Sequence, residues 1–144
     1  MLEIIVQDHL HPYPPRVSEF TKTFWDALAQ GRFLTTRGTL SKRLTFPPKQ
    51  ISPHNWNEPI EWVELSGKGK LYSWMTMYAV PAVFQFEAPY RVCVVDLEEG
   101  IRVTTRLLGD GPAPLDRQVQ LVAISYPNTP SFAARLVGTP SPEC

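Results

Sequence analysis

The stretch IEWVELSGKGKLYSWMTMYAV, residues 60–80, decides the fold. Two runs rich in aromatic and β-branched residues flank Ser66-Gly67-Lys68-Gly69, which is the composition of two strands joined by a short turn. Three more such runs follow: YRVCVVDLE at 90–98, IRVTTRLL at 101–108 and RQVQLVAISY at 117–126. Proline-rich residues 81–89, Glu99-Gly100 and Gly109-Asp110-Gly111-Pro112 separate them, each a turn or break signal.

Five β-rich segments with short connections suit a small closed or partly open barrel. The five-stranded Greek-key barrel, the OB-fold, is the economical solution, and a sandwich fragment is the rival. Upstream lies one helix signal. Ser18 is a candidate N-cap, Phe20, Phe24, Ala27 and Leu28 repeat at helical spacing, and Gly31 is a natural stop. The chain therefore divides into an arm and amphipathic helix (1–31), a degenerate zinc-ribbon-like segment (32–59), the barrel (60–126) and an extended proline-rich tail (127–144). The class is mainly β.

Composition narrows the function. With 144 residues, 43% hydrophobic and 11% aromatic, the chain can bury a real core. Fourteen basic residues balance fourteen acidic ones, which argues against a nucleic-acid or anionic-membrane partner. Cys93 and Cys144 make no disulfide framework, so a reducing setting is expected. No run approaches the ~20 apolar residues of a membrane helix, and Glu3 stands where a secretory signal would carry basic residues. The expectation is a cytoplasmic protein off the membrane.

Residues 37–56, RGTLSKRLTFPPKQISPHNW, carry an unusual spacing. Positions 38 and 41, then 52 and 55, form two x-x pairs around a ten-residue gap, the layout of a four-cysteine zinc ribbon. They hold Gly38, Ser41, Ser52 and Asn55. Around them stand Phe24-Trp25-Asp26-Ala27-Leu28, Gly31-Arg32-Phe33-Leu34, Phe46-Pro47-Pro48, Trp62-Val63-Glu64-Leu65-Ser66-Gly67, Leu71-Tyr72-Ser73 and Val94-Val95-Asp96-Leu97. In order and spacing, over roughly residues 18–126, these resemble the thiolase-associated family that joins a zinc ribbon to an OB-fold. The departure is the loss of the ribbon's cysteines, so tight zinc binding is not expected and no cofactor is assigned. Apolar packing by Leu40, Leu44, Phe46, Ile51 and Trp56, or burial against a partner, would then hold the segment.

The resemblance implies a non-catalytic companion of thiolase-like and ketosynthase-like subunits in a hetero-oligomeric acyltransferase complex. One arrangement of this type is an acetyltransferase acting on phloroglucinol-type phenols, with a small OB-fold subunit beside two thiolase-like ones. The residues themselves agree on the absence of chemistry. Cys93 in an apolar run reads as a buried hydrophobe, ahead of a nucleophile paired with His54. His9 and His11 lie in an arm, and Asp96, Glu98 and Glu99 read as a solvated hairpin end.

Two features rise above background. Arg32, Arg37, Lys42, Arg43 and Lys49 form a basic run with no acid between residues 32 and 49, a candidate surface for CoA phosphates or an acidic partner. Phe24, Trp25, Trp56, Trp74, Met77 and Phe84 are candidate interface residues, and residues 2–6 and the tail are available to strap a neighbour. The leading reading is a structural subunit of a thiolase-like acyltransferase complex. The alternatives are an acyl-CoA-binding module and, behind it, an OB-fold nucleic-acid binder.

Overall fold

A computed structural model describes residues 2–11, 15–51, 57–78, 89–109 and 111–137. In chain order the elements are β1 (Ile4–Val6), α1 (Lys22–Ala29), β2 (Phe33–Gly38), β3 (Leu44–Thr45) and β4 (Ile60–Leu65). Then come β5 (Lys68–Met77), β6 (Tyr90–Leu97), β7 (Arg102–Leu107), β8 (Gln118–Ser125) and β9 (Pro130–Leu136).

Strands β5 to β9 close on one another in the order β8-β5-β6-β7-β9 and back to β8. All neighbours are antiparallel except β7 and β9, which meet in parallel at Leu107 and Ala134. That closure is the five-stranded OB barrel expected from the sequence. Its membership differs from the sequence reading in two strands. Residues 60–65 form a strand but do not enter the barrel; β4 pairs instead with β2, in a separate sheet of order β3-β2-β4. The barrel does not end at Tyr126 either. Pro130–Leu136, read as part of an extended tail, is its fifth strand, pairing with β8 from Ser125 to Val119. Proline is admissible there because it is the first residue of the strand.

Alternation sets the core. Cys93, Val95 and Leu97 of β6 point inward with Leu71 of β5, Val103 of β7, Val119 and Leu121 of β8 and Ala134 of β9, all nearly or fully buried. On β5 the register shifts between Leu71 and Ser73, so that Tyr72 is an extra, outward residue.

The amino-terminal third is stitched to this barrel. β8 runs on past the start of β5 at Gln120↔Lys68, and the stretch beyond is taken by β1, paired in parallel as Ile4↔Ala123 and Val6↔Ser125. Leu2 is buried, with its amide on the Gly31 carbonyl at 2.6 Å. The arm thus straps its own barrel, where the sequence reading offered it to a neighbour.

The helix starts later than its signal. Ser18 and Thr21 cap reciprocally, the Thr21 amide donating to Ser18 Oγ at 3.1 Å and the Ser18 amide to Thr21 Oγ1 at 2.8 Å. It ends on Gly31, whose φ of +80° lets the Arg32 amide reach the Ala27 carbonyl at 2.9 Å and its own amide the Leu28 carbonyl at 2.9 Å. Phe24, Ala27 and Leu28 face inward. Phe24 meets Phe33 (5.7 Å between ring centroids) and Phe132 of β9 (6.3 Å), and Phe46 stacks at 5.4 Å from Phe33. This phenylalanine cluster joins helix, small sheet and barrel into one core.

Candidate functional site

The ribbon spacing places its first pair on the turn after β2. Backbone hydrogen bonds between Gly38 and Arg43 (3.1 Å) and between Lys42 and Gly38 (3.0 Å) close that turn, with Lys42 at φ +60°. Into it comes a side chain that the sequence reading did not select. The Glu58 carboxylate, 5% exposed, accepts from the amides of Leu40 (2.8 Å) and Ser41 (2.7 Å) on one oxygen and from Ser41 Oγ (2.8 Å) on the other. Converging amides of this kind make an anion cradle.

The carboxylate also lies directly over Gly38. A Cβ added there would sit 2.3 Å from its carbon and one oxygen. Position 38 therefore has neither a donor atom nor room for a side chain that would carry one, and Ser41 Oγ is spent on Glu58. The metal implied by the ribbon layout does not fit these residues. Ser52, His54, Asn55 and Trp56 lie outside the described residues. Among those described, no group of three or more His, Cys, Asp or Glu side chains is gathered to hold a metal ion. Of the apolar residues expected to hold the segment, Leu44 and Phe46 pack against the core, whereas Leu40 is 71% and Ile51 62% exposed.

The basic run is not a bare cationic surface. Register brings Glu61 opposite Arg37, and Arg37 Nε donates to it at 2.8 Å. Glu64 faces Leu34 and takes Arg32 Nε at 3.3 Å, while Lys42 Nζ stands 4.0 Å from Glu61. Among the described residues, Arg43 and Lys49 make no ion pair. The neutralising acids lie on β4, outside the 32–49 window, which is why the run looked unopposed.

The aromatic candidates separate by burial. Phe24 is buried in the phenylalanine cluster and is withdrawn as an interface residue; Trp25 packs partly against the same core. Phe84 lies outside the described residues. Met77 is half-buried, and Trp74 is 39% exposed with its indole N–H on the Ala113 carbonyl at 2.8 Å. Beside Trp74, Met75, Tyr72 and Tyr78 are exposed, residues sequence reasoning had not singled out individually. Arginines stack on this region: Arg102 lies 3.9 Å over Tyr72, Arg106 3.9 Å over Tyr90, and Arg91 5.2 Å over Trp74. Trp74, Tyr90, Arg91 and Arg106 line an open cleft of about 630 Å³ at one end of the barrel. Arg91 is held there by the carbonyls of Gly109 and Gly111.

Among the described residues, Cys93 is not set up as a nucleophile. Cys93 is buried inside the barrel, and burial pushes its thiol up to about 11 against a weaker downward pull from Arg91. Asp96 is bound to Arg102 at 2.6 Å and Glu99 accepts from the Ser66 amide at 2.8 Å, and of that trio Glu98 is the exposed residue. His9 and His11 pack edge-on against Tyr126 at 5.5 and 4.9 Å. Among the described residues, no helix is long and apolar enough to cross a membrane.

Residues 62–124 match the family described as the ChsH2 C-terminal OB-fold domain. A DUF35 domain-containing scaffold protein of Methanocaldococcus jannaschii is 32% identical over 80 residues, 55% of this chain and 57% of that one. The benzoylsuccinyl-CoA thiolase subunit BbsA of Thauera aromatica is 32% identical over 111 residues, covering 74% of this chain and 76% of that subunit. Four relatives, the archaeal protein among them, are spanned over only 57%, 32%, 42% and 60% of their own length. Among solved structures, a chain of the Ltp2-ChsH2(DUF35) aldolase superposes with a TM-score of 0.73 at 29% identity, over 85% of this chain and 98% of that one.

Proposed function

Because this chain belongs to the DUF35 family, that of the ChsH2 C-terminal OB-fold, we propose that it is a non-catalytic structural subunit of a multi-subunit thiolase-like complex. In this reading the larger thiolase-fold subunits carry the chemistry and this chain bridges or stabilises them. The observation that carries the proposal is the extended match to BbsA, a protein itself named as a subunit of a thiolase. The site supports it: a buried, protonated Cys93 offers no nucleophile, and the aromatic and methionine residues on β5 are of the kind that anchor interfaces. The narrower form, acetyl transfer to or from phenolic acceptors, rests on the family resemblance alone.

Co-expression with thiolase-fold proteins encoded beside it tests the reading. A tagged chain should retain such a partner through size exclusion, and acyl-CoA thiolysis or acyl transfer should require both polypeptides. A well-folded monomer that leaves every thiolase-like neighbour unbound overturns it.

A second reading, acyl-CoA binding by this chain itself, is favoured by the arginine-lined cleft beside Trp74. Calorimetric titration with acetyl-CoA and benzoyl-CoA tests it, and no heat at millimolar ligand rejects it. The nucleic-acid alternative loses ground because Glu61 and Glu64 offset much of the basic run.

A further inference from the structure

We propose that the Glu58 carboxylate does within this chain what a bound metal does in a four-cysteine ribbon: it organises the turn at residues 38–41 and ties it to the segment that returns to β4. The inference is independent of which partner the protein has.

Three observations carry it. The carboxylate is buried and receives three hydrogen bonds from one turn, two from consecutive amides and one from Ser41 Oγ. Charge-assisted bonds of that kind are the strong ones. Next, the position where the ribbon layout requires its first ligand is a glycine, and the carboxylate occupies the volume that any side chain there would need. Glutamate is a flexible side chain and would ordinarily move aside, but here moving aside breaks all three bonds and takes a buried carboxylate off the donors that hold it. Finally, Thr39 binds the adjacent Pro59 carbonyl through both its amide (3.0 Å) and its hydroxyl (3.2 Å), so the turn and the residues around Glu58 are clasped from two sides.

Gly38 and Glu58 are therefore one device. A cysteine at 38 and a glutamate at 58 are sterically exclusive, and a chain carrying Gly38 with Glu58 has exchanged a thiolate–metal centre for an internal anion cradle. The segment folds without metal, and metal supplied from outside has nothing to gain at this turn.

The full-length chain tests this directly. Purified from zinc-supplemented medium, it should carry substoichiometric zinc, and EDTA should leave its Tm unchanged. Glu58→Gln should raise hydrogen exchange at the Leu40 and Ser41 amides by about tenfold or more, the size of one lost charged hydrogen bond. Gly38→Ala should loosen the same turn in the parent but add little to Glu58→Ala, because the clash has gone. Stoichiometric zinc or a chelator-sensitive Tm overturns the proposal, and both are read on the unsubstituted protein. Unchanged exchange in Glu58→Gln, or additive effects of Gly38→Ala and Glu58→Ala, overturns it as well.

Discussion

Phe132 and Phe33 lie with their ring centroids 5.1 Å apart at 63°, and this edge-on pair fastens the fifth barrel strand to the first strand of the small sheet. Phe132 also faces Phe24 and Phe46, so one ring from β9 touches the helix, the small sheet and the Phe46-Pro47 turn. The small sheet rests on its own barrel through these contacts.

Phe132→Ala should accordingly cost about 2–3 kcal/mol, less than the penalty for a fully buried phenylalanine because Phe132 is only partly buried. Urea denaturation measures the loss. Amides of α1 and β2 should lose more protection than those of β5 and β6, which contact each other directly.

Cys93 should be inert to alkylation in the native protein. Its thiol is held in the neutral form to about 11 by burial, and the thiolate is the reactive species. Iodoacetamide at pH 8 followed by peptide mass mapping should spare Cys93 until denaturant exposes it. A raised folded pKa also means that stability from the neutral thiol is intact below pH 9 and declines as pH rises toward 11. Cys93→Ser removes that alkaline component.

Glu3 binds Arg135, which holds its carboxyl below the ordinary carboxylate value by hydrogen bonding and charge. A depressed folded pKa stabilises the arm above the unfolded value of 4.5 and ceases to do so as pH falls through the lower folded value. The Ala123 amide, bonded to the Glu3 carbonyl at 2.8 Å, reports on the arm. Its chemical shift should titrate on the acid side in the parent and stay flat in Glu3→Gln.

Met75→Lys should weaken retention of a thiolase-fold partner while changing stability by no more than about 0.5 kcal/mol, as expected of an exposed position, and Tyr72→Ala should do so at up to about 1 kcal/mol because it also loses the Arg102 stack. If either anchors the interface, the loss corresponds to about 2 kcal/mol or roughly thirtyfold in affinity. Equilibrium binding beside a thermal melt separates the two effects.

Much of the barrel was legible because β5 to β8 carry aromatic and β-branched residues between clear turn signals. β9 was not. Its sequence PSFAARL opens on proline and holds two alanines, small residues set by burial on both faces of the strand, Ala134 in the barrel core and Ala133 against Val122 and Ile124, rather than by strand preference. IEWVEL was visibly a strand, but its composition cannot say which sheet takes it. Phe33↔Leu65 and Arg37↔Glu61 are pairings between residues far apart in sequence, and the same pairings hid the acids that offset the basic run. Glu58 left no local signal at all: its meaning depends on Gly38, twenty positions earlier, and on a turn that only the fold brings beneath it.

The parallel meeting of β7 with β9 and the antiparallel closure of β9 on β8 have a consequence for how the protein is made. A nascent chain emerging from the ribosome has produced the helix and the small sheet long before Phe132 exists. Those early parts must wait, solvent-exposed, until the last barrel strand is released. Barrel closure and docking of the first third are thereby compressed into a single late event, a schedule under which chaperones, or a waiting larger subunit, would meet the chain while its phenylalanines are still bare.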